Sequence, residues 1–343
     1  MQVFFSEDHR LHFPQAELSE GQFVTPYERP SRVEFILRRL RERGFAAPLD
    51  PGPADMAPIR ALHDPGYLAF LETAWDEWQA AGYAGEVIAA NWPARRMNTT
   101  RPPRHIDGKV GFYALASETA ITAGTWAAAL SSAASAQAAT RAVAGGARAA
   151  FALCRPPGHH AARDMFGGYC FLNNAAIAAQ MLRDAGAAKV AVLDIDFHHG
   201  NGTQDIFWDR GDVIFASIHG APEDCFPYFS GHADEVGQGA GAGATLNLPL
   251  PPGTGAGDWM AALDHALATI RDAGAEALVI SLGVDAFIGD PISAFRLDSA
   301  DFVIAGQRIG AAGLPAVFCM EGGYAIAAVG INTVNVLEGF AAG

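Results

Sequence analysis

One apolar run followed by alternating ionisable residues constrains this chain most. Residues 190–193 are uninterruptedly apolar, which is typical of a strand buried on both faces of a parallel sheet. Asp194, Asp196 and His198 follow at alternate positions, so an extended backbone would place them on one side. Such a buried trio needs a partner, and carboxylate oxygen with imidazole nitrogen suits zinc, iron or cobalt better than calcium or magnesium. The alternative is an Asp- and His-rich loop that only caps the strand.

The composition indicates a globular α/β protein with a large core. The chain has 343 residues, of which 50% are hydrophobic and 17% charged. It shows no repeat and no low-complexity linker, so we predict a single domain over residues 1–343. The formal net charge of −14 argues against a nucleic-acid partner, because phosphate binding needs clustered Lys and Arg. The acidity would suit a cationic small-molecule substrate, although solubility alone also explains it.

Compartment signals are absent from the sequence. Residues 1–8 contain no basic segment followed by a long apolar stretch, so no signal peptide is visible. The Ala-rich residues 125–152 include two arginines and a glutamine, which makes them too polar for a membrane span. The four cysteines form no C-x-x-C pair and are typical of reduced thiols. We therefore expect a cytoplasmic protein without a membrane partner.

Strand-like and helix-like segments alternate along most of the chain. Predicted strands are residues 149–153, 189–193, 212–218, 277–282 and 315–320, and predicted helices are 174–182, 259–273 and 302–312. This alternation predicts a parallel sheet covered by helices on both faces. Residues 83–111, rich in Pro and Arg, are predicted to be irregular, and long loops of this kind are commonly functional or at an interface.

Polar groups follow four of the predicted strands, where open parallel sheets form their sites. They are the pair His159 and His160, the trio that starts at Asp194, then Asp285, and finally Tyr324. Asp285 could cap a helix or be a third metal ligand beside Asp196 and His198. Tyr324 could be a packed aromatic or a phenol that donates to an oxyanion. Four strand ends with such residues are hard to explain by structure alone.

The adjacent histidines have two interpretations. A pair such as His159 and His160 is more often filler than catalytic, but near a metal one imidazole can serve as general base and then general acid. Such an imidazole needs a partner that selects its tautomer, and Asp194 and Asn201 are available for that.

Six stretches together carry a resemblance to a known family. They are RPPGHH (155–160), GGYCFLNNAA (167–176), DIDFHHGNGTQDIF (194–207), SIHG (217–220), SLGVDAFIGDP (281–291) and EGGY (321–324). They resemble the zinc-dependent histone deacetylase-like amidohydrolases of the arginase/deacetylase superfamily. Residues 5–9, 71–83 and 107–126 are most similar to the acetylpolyamine amidohydrolase branch.

The resemblance implies a fold and an activity. The fold would be a three-layer α/β/α arrangement with a central eight-stranded parallel sheet. The activity would be zinc-dependent hydrolysis of linear amides, which removes acetyl groups from acetylated polyamines such as N-acetylputrescine and N-acetylcadaverine. The partner would be a small cationic acetylated amine, and the insertion near residues 83–111 would form a homodimer that narrows the substrate tunnel.

The resemblance also implies roles for individual residues. The zinc ligands would be Asp196, His198 and Asp285, with Fe²⁺ as a possible substitute for Zn²⁺. His160 would be general base and acid, and Tyr324 would bind the carbonyl oxygen. The remaining implied roles are an electrostatic partner (His159, held by Asp194), a tunnel lining (Gly168, Tyr169 and Phe226) and a structural K⁺ site (Asp194 and Ser217, with nearby backbone carbonyls).

Two positions depart from what the family pattern leads us to expect. Asn201 stands behind His160 where some family members have Asp, and an amide raises imidazole basicity less than a carboxylate does. At the tunnel mouth, acidic residues fall at Asp107 and Glu118, the first of them an Asp where Glu is expected. The shorter acid weakens the expectation of selectivity for cations.

Three other functions compete with this interpretation. A broader deacetylase would act on acetyl-lysine in proteins or on other small acetamides. A two-metal ureohydrolase like arginase would need further carboxylates and a histidine for its second metal. A non-enzymatic protein would only bind acetylated amines, although every expected catalytic position is filled.

Overall fold

A computed structural model describes residues 1–343. The strands are β1 (Gln2–Phe4), β2 (Glu17–Ser19), β3 (Gln22–Val24), β4 (Ala149–Ala152), β5 (Val190–Asp194), β6 (Val213–Gly220), β7 (Thr245–Leu250), β8 (Ala277–Leu282) and β9 (Ala316–Met320). The α-helices are α1 (Ser31–Glu42), α2 (Met56–Leu62), α3 (Pro65–Ala80), α4 (Ile106–Tyr113), α5 (Thr125–Ala144), α6 (Asn174–Asp184), α7 (Asn201–Phe207), α8 (Ala256–Asp272), α9 (Ser299–Ala311) and α10 (Ile326–Ala342).

Seven strands form the central sheet in the order β1-β4-β9-β8-β5-β6-β7, and all neighbouring pairs are parallel. Strands β2 and β3 form a separate antiparallel pair. Helices α5 and α6 pack on strands of the sheet, as does α8, and α9 packs against α10. The α/β architecture expected from the alternation of segments is therefore confirmed.

The expected strand count was wrong by one. Beside the edge strand β1, Leu49 forms an isolated parallel bridge, in which its N–H donates to the carbonyl of Val3 at 2.8 Å. Pro48 precedes Leu49 and Pro51 follows two residues later. Because Pro51 has no N–H to donate to the next carbonyl along the edge of β1, the bridge does not extend into a ladder on that side. The eighth strand is thus reduced to one residue pair.

The hydrophobic core is continuous across the sheet. It comprises 84 buried residues, from Val3 near one end of the chain to Phe340 near the other. β5 lies between β8 and β6 and is buried at every position, as the apolar run predicts. One shared core is what a single domain requires, and the single-domain organisation stays a prediction.

The segment predicted to be irregular is only partly so. Residues 83–105 contain no helix or strand apart from an isolated bridge between Val87 and Ile121. Helix α4 then begins at Ile106, inside the range expected to lack structure. His105 caps it, since its Nδ1 accepts the N–H of Asp107 at 3.3 Å. A single capping side chain is a weak sequence signal, which is why the helix was missed.

The Ala-rich stretch forms α5, whose small side chains pack closely against β1, β4 and β9. No helix in the structure combines the length and hydrophobicity that crossing a bilayer requires.

A buried ionic cluster joins α1 to the loops that follow β4 and β9. Oε1 of Glu28 accepts hydrogen bonds from Arg32 at 3.0 Å and from Arg155 at 2.8 Å, and all three side chains are almost fully buried. Arg32 also donates to the carbonyl of Gly323, and Arg155 to that of His12. Burial alone would raise the pKa of Glu28, but the two guanidinium groups hold it below its usual value.

Replacing Glu28 with Gln should destabilise the protein strongly, because two buried guanidinium groups would lose their only anionic partner. Breaking a buried ion pair in this way costs about 3–5 kcal/mol. The measurement is the urea midpoint of unfolding, followed by circular dichroism. The control is Glu42→Gln. In the unchanged protein the carboxylate of Glu42 pairs with Arg38 and Arg39 at the surface, and its removal should lower the free energy of unfolding by at most about 1 kcal/mol. Equal midpoints for the two variants would contradict the prediction.

Candidate functional site

The three predicted metal ligands meet at the carboxyl edge of the sheet. Asp196, His198 and Asp285 are buried, and one potential ligand atom from each lies within 4.8 Å of the others. Nδ1 of His198 is 3.2 Å from Oδ1 of Asp196 and 3.1 Å from Oδ2 of Asp285. These residues converge because β5 and β8 are neighbours in the sheet and end at the same level.

Backbone groups fix both carboxylates of this trio. Oδ2 of Asp196 accepts the N–H of Gly322 at 2.8 Å, and Oδ1 of Asp285 accepts the N–H of Phe197 at 2.7 Å. A Cβ atom at Gly322 would collide with both carboxylates, so the loop after β9 can approach them only as glycine. His198 lines a cavity, which leaves one side of the trio open.

The electrostatics of the trio call for a cation. Burial and the charge of Asp196 raise the pKa of Asp285 to about 7. Burial opposes protonation of His198, but hydrogen bonds to the two carboxylates raise its pKa to about 10. A proton on the imidazole thus compensates the carboxylates, and a divalent metal would compensate them better. Two carboxylates and one imidazole with an open side fit a transition-metal centre of the catalytic kind.

Each histidine of the predicted pair has its own orienting partner. Nδ1 of His159 is 3.0 Å from Oδ2 of Asp194, and Nδ1 of His160 is 2.6 Å from Oδ1 of Asn201. The Asn201 amide nitrogen is 3.4 Å from the carbonyl oxygen of His160, a contact that is favourable only when the amide oxygen faces the ring. Because that oxygen only accepts, Nδ1 of His160 carries the proton and Nε2 keeps its lone pair.

The two imidazoles differ in charge although their ring centroids are only 4.0 Å apart. Burial opposes protonation of His159, but Asp196 and Asp194 raise its pKa to about 10. Burial and the nearby charges of His159 and His198 hold the pKa of His160 well below its usual value. The pair therefore combines one cationic ring with one neutral ring that can accept a proton.

Tyr324 is positioned through its backbone. Oδ2 of Asp290 accepts the N–H groups of Tyr324 at 2.6 Å and of Ala325 at 3.1 Å. Gly323 has a φ of +127°, a conformation that favours glycine and lets the chain turn the ring towards the cavity. Burial raises the pKa of Tyr324 well above its usual value although Arg32 lies over the ring, so the phenol stays a proton donor.

The predicted wall residues line one cavity of about 550 Å³ together with His160, His198 and Tyr324. They are Gly168, Tyr169 and Phe226, joined by Glu118. The Phe226 ring is 5.2 Å from that of His160, and the Tyr169 ring is 5.6 Å from that of Tyr324. A larger groove of about 1160 Å³ elsewhere contains none of these groups, so chemistry rather than volume identifies the site.

The two acidic residues predicted at the tunnel mouth, Asp107 and Glu118, lie in different places in the structure. Glu118 lines the cavity, and its Oε1 accepts the N–H of Gly168 at 2.8 Å. Asp107 does not line the cavity of its own chain. Its Oδ2 instead accepts a hydrogen bond from Asn91 at 3.0 Å, at the start of α4.

The residues predicted to hold K⁺ are neighbours across two strands. Asp194 on β5 is in register with Ser217 on β6. Oδ1 of Asp194 accepts the N–H of Asp196 at 3.1 Å, and Oγ of Ser217 is 2.9 Å from Nδ1 of His219. The potassium site stays a prediction.

Sequence reasoning missed three acidic residues of the site. Glu17 on β2 lines the cavity, and the Tyr169 hydroxyl donates to its Oε1 at 2.8 Å. Oε2 of Glu321 accepts the N–H groups of Gly158 at 2.6 Å and of His159 at 3.1 Å, and Asp290 holds Tyr324 as described. Glu321 and Asp290 lie inside recognised motifs and could have been found there, whereas Glu17 has no local signal.

Comparison with known proteins identifies relatives along the whole chain. The family model described as "Histone deacetylase domain" matches residues 26–340. The chain is 54% identical to the acetylpolyamine amidohydrolase of Mycoplana ramosa, over 99% of this chain and 100% of that protein. It is 52% identical to acetylpolyamine amidohydrolase 1 of Pseudomonas aeruginosa, over 98% of this chain and 97% of that protein.

Solved structures agree with the sequence relatives. The crystal structure of acetylpolyamine aminohydrolase from Burkholderia pseudomallei superposes with a TM-score of 0.94 at 41% identity, and covers 100% of this chain and 99% of that one. The HD domain of HDA15 superposes with a TM-score of 0.83 at 27% identity, over 100% of this chain and 91% of that one.

Two neighbouring aspartates should have separable effects. Asp285→Asn should weaken zinc binding at least about tenfold, since even outer partners of a metal contribute that much. Asp290→Asn should keep the metal content and lower turnover about tenfold, because Asp290 binds the backbone of Tyr324 and of Ile292 and none of the three candidate ligands. The measurements are zinc content after dialysis against a metal buffer and kcat of the metal-loaded protein. Loss of zinc from Asp290→Asn alone would contradict this assignment.

Proposed function

This chain belongs to the histone deacetylase family, and we propose that it removes the acetyl group from acetylated polyamines, with acetate and the free amine as products. Relatives that cover the whole chain carry the name acetylpolyamine amidohydrolase, which supports this substrate class. The observation that carries the proposal is the buried trio of Asp196, His198 and Asp285, which opens with His160 and Tyr324 onto one narrow cavity.

In the proposal Zn²⁺, or Fe²⁺ in its place, binds at Asp196, His198 and Asp285. A metal bound there would act as a Lewis acid on the acetamide carbonyl and make a water molecule more acidic. The donor set supports this, since it holds two carboxylates and one imidazole around an open side.

The protein's own groups would move the protons. Nε2 of His160, whose tautomer is selected by Asn201, takes a proton from the attacking water as the new C–O bond forms. His160 then returns that proton to the leaving nitrogen as the C–N bond breaks. His159, held by Asp194, would be the electrostatic partner of the negative charge that develops on the substrate.

The Tyr324 phenol would donate to the carbonyl oxygen as its charge grows. Its raised pKa keeps the proton available, and the backbone bonds to Asp290 hold the residue in place. A donor of this kind contributes about 3–4 kcal/mol to the transition state.

Selectivity for a cationic amine would come from the walls and the mouth of the cavity. The aromatic rings of Tyr169 and Phe226 suit the methylene groups of a slim chain. Glu118 and Glu17 line the same cavity and offer carboxylates to an ammonium group. A broader deacetylase that also accepts acetyl-lysine is the competing function.

A homodimer is the assembly we propose. Residues 83–105 contain the exposed side chains of Trp92 (39%) and Met97 (63%), which support an interface there. Asp107, which begins α4 beside this segment, would then lie near the boundary between subunits. If size-exclusion chromatography shows only monomer, a dimer cannot explain a narrowed tunnel.

A structural K⁺ at Asp194 and Ser217 completes the proposal. Its test is the loss of thermal stability when K⁺ is exchanged for a bulky organic cation.

The substrate assignment is tested by acetate release. Purified protein should lose activity in a chelator and regain it with one equivalent of Zn²⁺. Among acetylated amines, N-acetylputrescine and N-acetylcadaverine should give a kcat/KM at least about tenfold above that of an acetyl-lysine peptide. A preference for the peptide would favour the broader deacetylase.

Tyr324→Phe should lower kcat about 10²–10³-fold, which is the effect of removing one oxyanion donor. Zinc content and KM should change little, because the ring and its backbone contacts remain. Tyr169→Phe is the matched control: it removes the hydroxyl bonded to Glu17 and should affect KM more than kcat. An unchanged kcat for Tyr324→Phe would exclude the phenol from the reaction.

The KM for a cationic substrate should fall as pH rises through about 7. Burial raises the pKa of Glu17 to about 7, so its side chain is neutral below that pH and anionic above it. A primary ammonium group stays charged to about pH 10. The ratio of KM values for N-acetylputrescine and for a neutral alkyl acetamide should therefore drop about fivefold, equivalent to about 1 kcal/mol. In Glu17→Gln the ratio should not vary with pH, and a persistent variation would assign the effect to another group.

A further inference from the structure

A second set of metal donors lies next to the proposed catalytic centre. His159, Cys170 and Glu321 are buried, and one potential ligand atom from each lies within 4.8 Å of the others. None of the three belongs to the trio of Asp196, His198 and Asp285. The set therefore combines one imidazole, one thiol and one carboxylate in a place to which the reaction assigns no ligand.

Each of the three side chains has an atom to offer. Oε2 of Glu321 accepts two backbone N–H groups, but Oε1 is buried without a hydrogen-bond partner. Nδ1 of His159 is engaged by Asp194, which leaves Nε2, an atom without a hydrogen-bond partner that lies 3.8 Å from Oδ2 of Asp196. The Cys170 thiol donates to the carbonyl of Gly168 at 3.2 Å, so the lone pairs of its sulfur remain available. An unpartnered carboxylate oxygen at full burial is unfavourable and calls for a ligand.

We propose that His159, Cys170 and Glu321 form a second, inhibitory site for a thiophilic divalent metal such as Zn²⁺ or Cd²⁺. Sulfur, nitrogen and oxygen donors together are typical of zinc, and the thiolate favours soft ions. Ligands at about 2.0–2.3 Å around a tetrahedral ion are about 3.4–3.8 Å apart, so a contraction on the order of 1 Å is enough. Binding releases the thiol proton.

The position of this site explains why it would inhibit. A metal on Nε2 of His159 would occupy the ring that the proposed reaction uses as its electrostatic partner beside His160, while Asp196, His198 and Asp285 keep their own ion. Two dications so close repel each other, so the second site should fill only at excess metal. The site is buried behind the cavity wall, where His160 and Gly168 line the cavity and contact His159 and Cys170, respectively, so entry of the metal would require these wall residues to move. The inhibition rests on the proposed function, but the binding does not.

The binding test uses the full-length protein loaded with one Zn²⁺ per chain and freed of excess metal. Titration with Cd²⁺ in the absence of substrate should produce the ultraviolet charge-transfer absorption of a cadmium thiolate. Elemental analysis should find about one Cd²⁺ bound and the Zn²⁺ retained. Displacement of Zn²⁺ without uptake of a second ion would overturn the proposal, whatever the enzyme hydrolyses.

Two matched cysteine variants locate the site. Cys170→Ser, and Cys170→Ala as a second variant in case the first fails to fold, should lose the absorption band. Cys225→Ser changes a buried thiol that lines the cavity outside the cluster, and it should keep the band. If the band persists in both Cys170 variants or disappears in Cys225→Ser, the metal binds elsewhere and the assignment is overturned.

Activity provides the second readout. The inhibition constants of Cd²⁺ and of excess Zn²⁺ should rise at least about tenfold in the folded Cys170 variants, each compared with its own uninhibited rate. They should stay unchanged in Cys225→Ser. Equal inhibition constants in wild type and both Cys170 variants, despite loss of the band, would overturn the inhibitory role.

Discussion

The structure depends on two carboxylates buried at the ends of parallel strands. Asp196 and Asp285 are fully buried, and each would be strongly unfavourable without compensation. Backbone N–H groups of Gly322 and Phe197 bind one oxygen of each, and His198 lies between them. This arrangement brings the loops after β5, β8 and β9 together. A metal ion bound between Asp196, His198 and Asp285 would compensate the buried negative charge.

A second layer of buried charge holds the loops around that centre. Glu321 accepts the backbone N–H groups before and at His159, and Asp290 does the same for Tyr324. Behind them Arg32 donates to the carbonyls of Gly323 and Glu321. These bonds hold the backbone of the loops that carry His159 and Tyr324, so the positions of both residues follow from the sheet and its connections. Such preorganisation is what hydrolysis at a fixed centre needs.

Side chains of the same type differ in pKa within this site because their local environments differ. His159 and His160 are adjacent in sequence, and burial opposes protonation of both, yet the carboxylates of Asp196 and Asp194 raise the pKa of His159 whereas the charges of His159 and His198 further lower that of His160. Burial at this site also leaves one carboxylate oxygen of Glu321 without a hydrogen-bond partner. This unpartnered oxygen is the one that the proposed second metal would bind.

The sequence by itself determined the fold class and, through its six motifs, the family, and it predicted the candidate metal ligands that the structure brings together. The reason is local: buried strands are apolar runs, and Asp194, Asp196 and His198 follow one of them at strand spacing. Only the tertiary structure decided the rest, because these features depend on contacts between distant segments. Leu49 forms only a single bridge beside β1. The carboxylate of Glu17 accepts a hydrogen bond from the hydroxyl of Tyr169, which lies 152 residues further along the chain. No periodicity or motif encodes such pairings; they exist only once the sheet has brought the loops together.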